Sequence, residues 1–135
     1  MSESMNLDID LIVVSYNSGS VLEPFLRSIP DFVNVIVADN GSSDNSVAVA
    51  AADGAEVVEI GENVGYGSAC NVGAASGNAP FLLFANPDLR FEAGTLEALV
   101  AAAAAHPEAA FNPLFYSGSR RRFRRWSRLL PASDF

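Results

Sequence analysis

Short apolar segments that alternate with helix-like segments constrain the fold of this chain more than any other feature. These segments are rich in β-branched residues and nearly continuous in hydrophobic character, as strands buried on both faces are. They lie at residues 11–14, 35–38, 55–60 and 80–86. Each is followed by a turn-rich loop and then by apolar residues at helical spacing. This alternation predicts βαβ units, and therefore an α/β fold built on a parallel sheet with flanking helices.

The helical segments have their own features. They cover residues 21–29, 47–52, 68–77 and 93–106, and residues 108–116 are typical of a fifth strand. Proline lacks an amide hydrogen, so Pro24 fits the first helix only in its opening turn. The third segment consists of small residues, which predicts a helix that packs very close to the sheet.

Composition excludes several classes of protein. The 135 residues are enough for one domain, and they carry a net charge of −8. The single cysteine excludes an internal disulfide framework and favours a reducing cytoplasm, and the single histidine argues against a zinc cluster. No apolar run reaches the roughly 18 residues that a membrane span requires. The first ten residues carry acids where a secretory signal would carry positive charge.

Six of the eight arginines lie in the segment "RRRFRRWSR", from Arg120 to Arg128. A basic segment interleaved with aromatic residues could contact nucleic acid or an anionic membrane surface, or pack on another part of a longer chain. The acidic remainder of the chain would repel a phosphate backbone, so we expect no nucleic-acid partner. Peripheral membrane contact stays open.

Polar residues collect where the predicted strands end. In an open parallel sheet, ligands bind at the carboxyl ends of the strands, near the point where the strand order reverses. The residues found there are Ser15, Tyr16, Asn17, Asp39, Asn40, the loop from Asn63 to Gly67, Asn86 and Asp88. Turns are polar in any protein, but this joint concentration favours a binding site.

The chemistry of these residues suits a nucleotide. Tyr16 can lie flat against an aromatic base, and Asp39 can accept the imide N–H that uracil and thymine offer. Glycines in the segment "NVGYGSACNVG" let backbone amides approach an anion closely. The segment lacks the third glycine of the dinucleotide-binding fingerprint, and the chain contains no P-loop sequence.

The segment "LLFANPDLRF" raises a separate question, because Pro87 must end the strand and push Asn86 into an extended conformation. One interpretation is a simple strand-to-helix turn. The other is a site for a metal and a phosphate, since Asp88 offers the hard oxygen that Mg²⁺ or Mn²⁺ prefers.

Four segments together resemble a known family. They are "LDIDLIVVSYNSGSVLEPFLRSI", "VIVADNGSSDNS", "NVGYGSACNVGAASG" and "FLLFANPDLRF". In this order and spacing they are similar to the nucleotide-binding half of family 2 glycosyltransferases, which have the Rossmann-like GT-A fold. They most resemble the rhamnosyltransferase-like branch, in which Asn-Pro-Asp stands in place of the Asp-x-Asp motif. The resemblance covers roughly residues 8 to 115.

The resemblance implies an enzyme that transfers a sugar from a nucleoside diphosphate sugar, with a lean toward dTDP-rhamnose, to a saccharide or lipid-linked acceptor in cell-surface polysaccharide synthesis. It implies Mg²⁺ or Mn²⁺ as cofactor, bound by Asp88 with Asn86 as a second candidate ligand. The residues implied to bind the nucleotide are Tyr16, Asn17, Asp39, Asn40, Asp44, Asn63, Gly65, Gly67 and Asn71.

The resemblance also implies a missing part. In this family the acceptor site and the general base lie in the C-terminal half, and no residue after Asp88 is an obvious base. We therefore expect residues 1–115 to be a nucleotide-sugar-binding half-domain and residues 116–135 to begin the acceptor half of a longer, cytoplasmic enzyme, peripheral to the membrane if the arginine segment contacts it. On this expectation the chain is truncated and holds no catalytic residue. The alternative is a non-catalytic module that binds a nucleotide or a partner chain.

Overall fold

The computed structural model describes residues 9–111 and, for the backbone alone, residues 116–117 and 120–121. The chain divides between Glu92 and Ala93 into two compact units. The elements of the first unit are β1 (Ile9–Ser15), α1 (Gly19–Arg27), β2 (Asn34–Asp39), α2 (Ser46–Ala52), β3 (Glu56–Glu59), α3 (Tyr66–Ala75) and β4 (Phe81–Ala85). Those of the second unit are α4 (Thr95–Ala105), β5 (Tyr116–Ser117) and β6 (Arg120–Arg121).

The first unit contains a sheet with the strand order β3-β2-β1-β4, in which all neighbouring strands are parallel. The predicted α/β fold, with a Rossmann-like parallel sheet and flanking helices, is confirmed. β1 lies between two strands and is buried along its whole length, which explains its unbroken apolar sequence. The strand order reverses between β1 and β4, so the switch point of the sheet lies there.

α3 packs against the sheet at very short range, as its small residues predict. A side chain at Gly73 would begin 2.6 Å from Ile12 Cγ2 and 3.4 Å from Ala38 Cβ. Only glycine permits this approach, because 2.6 Å is shorter than any ordinary contact between carbon atoms. The helix therefore lies on the face of the sheet that carries Ile12 and Ala38.

α1 differs from the prediction in the position of its proline. Pro24 is the sixth residue of the nine-residue helix, beyond the opening turn. A proline there cannot donate to the carbonyl of Ser20. Ser20 is exposed, so water can take the place of that hydrogen bond, and the helix continues because Phe25 and Leu26 are buried.

The predicted fifth strand over residues 108–116 is largely wrong. Residues 108–111 form no strand, and residues 112–115 lie outside the described part. Tyr116 begins β5, which pairs antiparallel with β6 and does not join the parallel sheet. Local pairing across two intervening residues requires little loop-closure entropy, which favours such a hairpin. The predicted domain boundary between residues 115 and 116 stays a prediction, and most of the Arg120–Arg128 segment lies outside the described residues.

A buried carboxylate ties the amino ends of the strands together. Asp10 in β1 is 2% exposed and accepts hydrogen bonds from Asn34 Nδ2 at 2.8 Å and from the amide of Ala79 at 2.9 Å. Gly77 lies so close that a Cβ atom there would overlap with Asp10 Oδ2. The carboxylate thereby connects β1 with the start of β2 and with the loop that leads into β4.

We expect Asp10→Ala to lower the free energy of unfolding by about 1–3 kcal/mol, because the amide of Ala79 would lose its acceptor in a part-buried position. Asp53→Ala is the matched control, since Asp53 is exposed at the end of α2. Urea titration of both variants measures the difference. Equal losses of stability would show that Asp10 does not hold the strands together.

Candidate functional site

The strand register brings the predicted polar residues to one edge of the sheet. Ser15 at the end of β1 pairs with Asp39 at the end of β2, and Asp39 pairs with Glu59 at the end of β3. β4 ends two residues earlier along the sheet, because its last residue, Ala85, pairs with Val13. The loops that follow all four strands of this sheet therefore begin along a single carboxyl edge.

Two exposed tyrosines lie next to this edge. Tyr16 follows β1 directly and is 51% exposed, so its ring is free to stack on a ligand. Tyr66 opens α3 and is 53% exposed. The predicted loop from Asn63 to Gly67 includes this tyrosine, but the sequence does not single it out. Partial burial and a hydrogen bond with Cys70 raise the pKa of the Tyr66 hydroxyl above its usual value.

Asn17 holds two loops together. It has a positive φ of 48°, which asparagine tolerates better than most residues. Its amide donates to Ser42 Oγ at 2.9 Å, and its side-chain oxygen accepts from the amide of Ser43 at 2.8 Å. These bonds join the β1–α1 loop to the β2–α2 loop.

Asp44 adds further bonds between the same loops. Its carboxylate accepts from the amide of Gly19 at 3.0 Å, from the amide of Ser46 at 3.0 Å, and from the Ser46 hydroxyl. The Ser46 hydroxyl, followed by the amide of Gly19, holds the pKa of the Asp44 carboxyl below its usual value. Asn45, the N-cap residue of α2, makes no capping hydrogen bond. We call Asn17, Ser42, Ser43, Asp44 and Ser46 the loop latch.

Asp39 is the most buried acid at the carboxyl edge, with 3% of its surface exposed. Its Oδ2 atom accepts from the amide of Ser42 at 3.0 Å. Its Oδ1 atom is closed to solvent and has no hydrogen-bond partner among the described residues, and the same is true of the hydroxyl oxygen of Ser15. The sequence places Ser15 among the polar residues at the end of the first strand but indicates no role for it, because a serine at a strand end is common.

Asn40 and Asn63 shape the glycine-rich loop. Asn40 Nδ2 donates to Asn63 Oδ1 at 3.1 Å, and Asn40 Oδ1 accepts from the amide of Val64 at 2.9 Å. Asn63 Oδ1 also accepts from the amide of Gly65 at 3.0 Å. Gly65 has a φ of 89°, a conformation that favours glycine. The amide groups of both asparagines thus position the start of α3, on which Gly67 and Asn71 lie exposed.

The Asn-Pro-Asp segment forms a β-turn. The amide of Leu89 donates to the carbonyl of Asn86 at 3.3 Å, with Pro87 in the second position that proline favours. The turn lies at the start of the connection between β4, which ends at Ala85, and α4, which begins at Thr95. Asn86 and Asp88 are both exposed, so their oxygens are accessible to an ion or to a substrate.

The described residues contain no group of three or more His, Cys, Asp or Glu side chains that could hold a metal ion. Mg²⁺ and Mn²⁺ can bind through one or two protein oxygens when substrate phosphates complete the coordination. The oxygens of Asp88 and Asn86 therefore fit a metal that arrives with a diphosphate, and do not fit a protein-only metal site.

Two further features of the described residues are the character of their helices and a cleft away from the carboxyl edge. None of their helices is long and apolar enough to cross a membrane. A cleft of about 740 Å³ lies at the opposite edge, between the amino ends of β2 and β3, and is lined by residues 26–27, 29–35 and 53–55. None of the site residues predicted from the sequence lines this cleft.

Comparison with known proteins identifies the family of this chain. The profile of glycosyl transferase family 2 matches residues 10–133. An N-acetylglucosaminyl-diphospho-decaprenol L-rhamnosyltransferase of Mycobacterium tuberculosis is 34% identical over 122 residues, which covers 77% of this chain and 40% of the relative. The chain thus spans about 40% of the length of that relative.

Solved structures share the fold. Residues 1–349 of S. aureus TarS, in complex with UDP-GlcNAc, superimpose with a TM-score of 0.74 at 22% identity, over 86% of this chain and 37% of that one. Glucosyl-3-phosphoglycerate synthase of Mycobacterium tuberculosis, in complex with Mn²⁺, UDP and phosphoglyceric acid, gives a TM-score of 0.53 at 27% identity, over 61% of this chain and 33% of the synthase. The predicted GT-A architecture is confirmed, and with the profile match it follows that this chain belongs to glycosyl transferase family 2.

Proposed function

We propose that this chain binds the nucleoside diphosphate part of a nucleotide-sugar donor at the carboxyl edge of its sheet. The observation that carries the proposal is the placement of three groups along that edge. An exposed tyrosine ring follows β1, a carboxylate ends β2 beside it, and an exposed carboxylate follows β4 on the other side of β1. A ligand that spans these groups presents an aromatic base at one end and negative charge at the other.

The base would lie against Tyr16 and be read by Asp39. The amide of Ser42 uses one lone pair of Asp39 Oδ2, and a carboxylate oxygen has a second. That lone pair accepts the imide N–H of uracil or thymine. Cytosine offers an acceptor at the same ring position, so the carboxylate would repel it. A uridine or thymidine nucleotide is therefore the expected ligand.

The diphosphate would lie near Asp88. A lone carboxylate repels a diphosphate unless a cation lies between them, and Asp88 with the amide oxygen of Asn86 offers ligands suited to Mg²⁺ or Mn²⁺. When bound, the divalent ion supplies Lewis acidity that offsets the charge developing on the departing nucleoside diphosphate. The β-turn closed by Leu89 holds both side chains at the edge.

The loops support this arrangement without all of their residues touching the ligand. The loop latch uses the side-chain oxygens of Asn17 and Asp44 for bonds within the protein, so we assign both residues to positioning of the site. Asn40 and Asn63 position the glycine-rich loop in the same way. Gly65, Gly67 and Asn71 would face the phosphates or the ribose.

For the protein as a whole we propose transfer of a sugar to a saccharide or lipid-linked acceptor. The similarity to a decaprenol-linked rhamnosyltransferase favours dTDP-rhamnose as donor. Because the chain matches only 40% of that relative, the general base and the acceptor site are expected in the part that it does not match. If this chain binds UDP but transfers no sugar, that result would agree with this expectation and also with a non-catalytic binding module.

We expect UDP to bind about tenfold more tightly with Mn²⁺ than with chelator, which corresponds to about 1.4 kcal/mol. Asp88→Ala should remove this metal dependence, because the variant lacks the carboxylate that binds the ion. Glu92→Ala is the matched control, since Glu92 is another exposed acid after β4. Isothermal titration calorimetry measures all of these affinities. Unchanged metal dependence in Asp88→Ala would remove Asp88 from the metal site.

A second prediction concerns the base. Asp39→Asn should lower the affinity for UDP and dTDP by about 10- to 100-fold, because a hydrogen bond to a charged group contributes about 1.5–3 kcal/mol. The affinity for CDP should not fall in parallel, since the asparagine amide can donate to the acceptor of cytosine. Asp31→Asn, an exposed acid at the opposite edge, is the control. An Asp39→Asn chain with parental affinity for UDP would contradict the assignment.

A further inference from the structure

Two polar atoms at the end of the β1–β2 pair lack hydrogen-bond partners among the described residues. They are the hydroxyl oxygen of Ser15 and Oδ1 of Asp39, and both are closed to solvent. Ser15 is 0% exposed and Asp39 is 3% exposed. A buried polar atom left without a partner costs about 1–3 kcal/mol, so native proteins rarely contain two that adjoin each other.

The strand register places these two residues side by side. Ser15 and Asp39 are direct partners in the parallel β1–β2 ladder, where strands lie about 4.8 Å apart and paired side chains point to the same face. α3 lies on the face of the sheet that carries Ile12 and Ala38. Ser15 is three residues from Ile12 and Asp39 is one residue from Ala38. Because side chains alternate between faces along a strand, Ser15 and Asp39 point to the face opposite α3. A change of the Ser15 χ1 rotamer would reorient its hydroxyl relative to the Asp39 carboxylate.

The partner of Asp39 Oδ1 has to come from inside the fold. A ligand cannot reach an atom that is closed to solvent unless its surroundings move. Two neighbouring backbone amides are already used, since that of Asn40 donates to the carbonyl of Ser15 at 2.8 Å and that of Ser42 donates to Asp39 Oδ2 at 3.0 Å. The Ser15 hydroxyl is an adjacent buried donor that has no acceptor among the described residues.

We propose that Ser15 is a positioning residue for base recognition, and that its hydroxyl donates to Asp39 Oδ1. This inference rests on the proposed function, in which Asp39 accepts the imide N–H of the base. With Oδ1 held by Ser15 from within and Oδ2 held by the amide of Ser42, the plane of the carboxylate is fixed. The free lone pair of Oδ2 is then directed at the base.

The Ser15 hydroxyl should affect recognition of the base and not binding of the diphosphate. The χ2 torsion of aspartate is broad, so a carboxylate held only by the amide of Ser42 would turn more freely. Loss of the Ser15 hydroxyl should therefore weaken the binding of ligands that contain an imide, and leave the contribution of the diphosphate to the affinity unchanged. A serine that only fills space would instead affect UDP and CDP equally.

The test uses Ser15→Thr and Ser15→Val in the full chain, because threonine and valine differ only in a hydroxyl that replaces a methyl group. Any crowding by the added methyl is common to both variants. The affinities for UDP and CDP, measured with Mn²⁺, give the selectivity of each chain. We expect Ser15→Thr to keep the parental UDP-to-CDP ratio, and Ser15→Val to lower it about tenfold.

Ser15→Ala gives the same reading if the larger residues prevent folding, since it removes the hydroxyl without adding volume. An unchanged UDP-to-CDP ratio in Ser15→Val and Ser15→Ala would overturn the positioning role alone, provided that the parent prefers UDP and Asp39→Asn loses that preference. A parent that binds UDP and CDP equally would overturn the assignment of Asp39 as well.

Discussion

The parallel pairing of β1 with β2 and β4 is the constraint on which the rest of the structure depends. β1 is buried along its whole length, and burial of its apolar side chains on both faces provides the main favourable free energy of the sheet. The register fixes where the strands end, and hence brings Tyr16, Asp39 and Asp88 to one edge. A slip of one residue would turn Asp39 to the face that α3 covers.

The carboxyl edge is organised by side chains that bond to backbone amides. The loop latch and the pair Asn40–Asn63 use short polar side chains to hold loops that have few apolar residues of their own. Such loops would otherwise be mobile, and a site built on them would have to order itself when a ligand binds. At the amino edge, the buried carboxylate of Asp10 connects the strands through hydrogen bonds from Asn34 and from the amide of Ala79. Each edge thus has its own polar network around a common apolar core.

Much of this architecture could be predicted from the sequence, because it follows from periodicity. The strands at 11–14 and 35–38 and the close packing of α3 appear in the structure as expected. The position of Pro24 could not be predicted, since tertiary burial of Phe25 overrides a local preference. Nor could the bonding of Asn17 and Asp44, because sequence shows which residues are polar and not which partners they find in space. Ser15 became a candidate only when the register placed it beside Asp39.

Binding of a nucleoside diphosphate at the carboxyl edge of the sheet can be mapped by NMR, from the amide chemical shifts of the labelled chain when UDP and Mg²⁺ are added. We expect the largest shifts on residues 16–17, 39–42, 63–67 and 86–88. Shifts confined to the cleft at the opposite edge, around residues 29–35 and 53–55, or no shifts at saturating UDP, would contradict binding at the carboxyl edge.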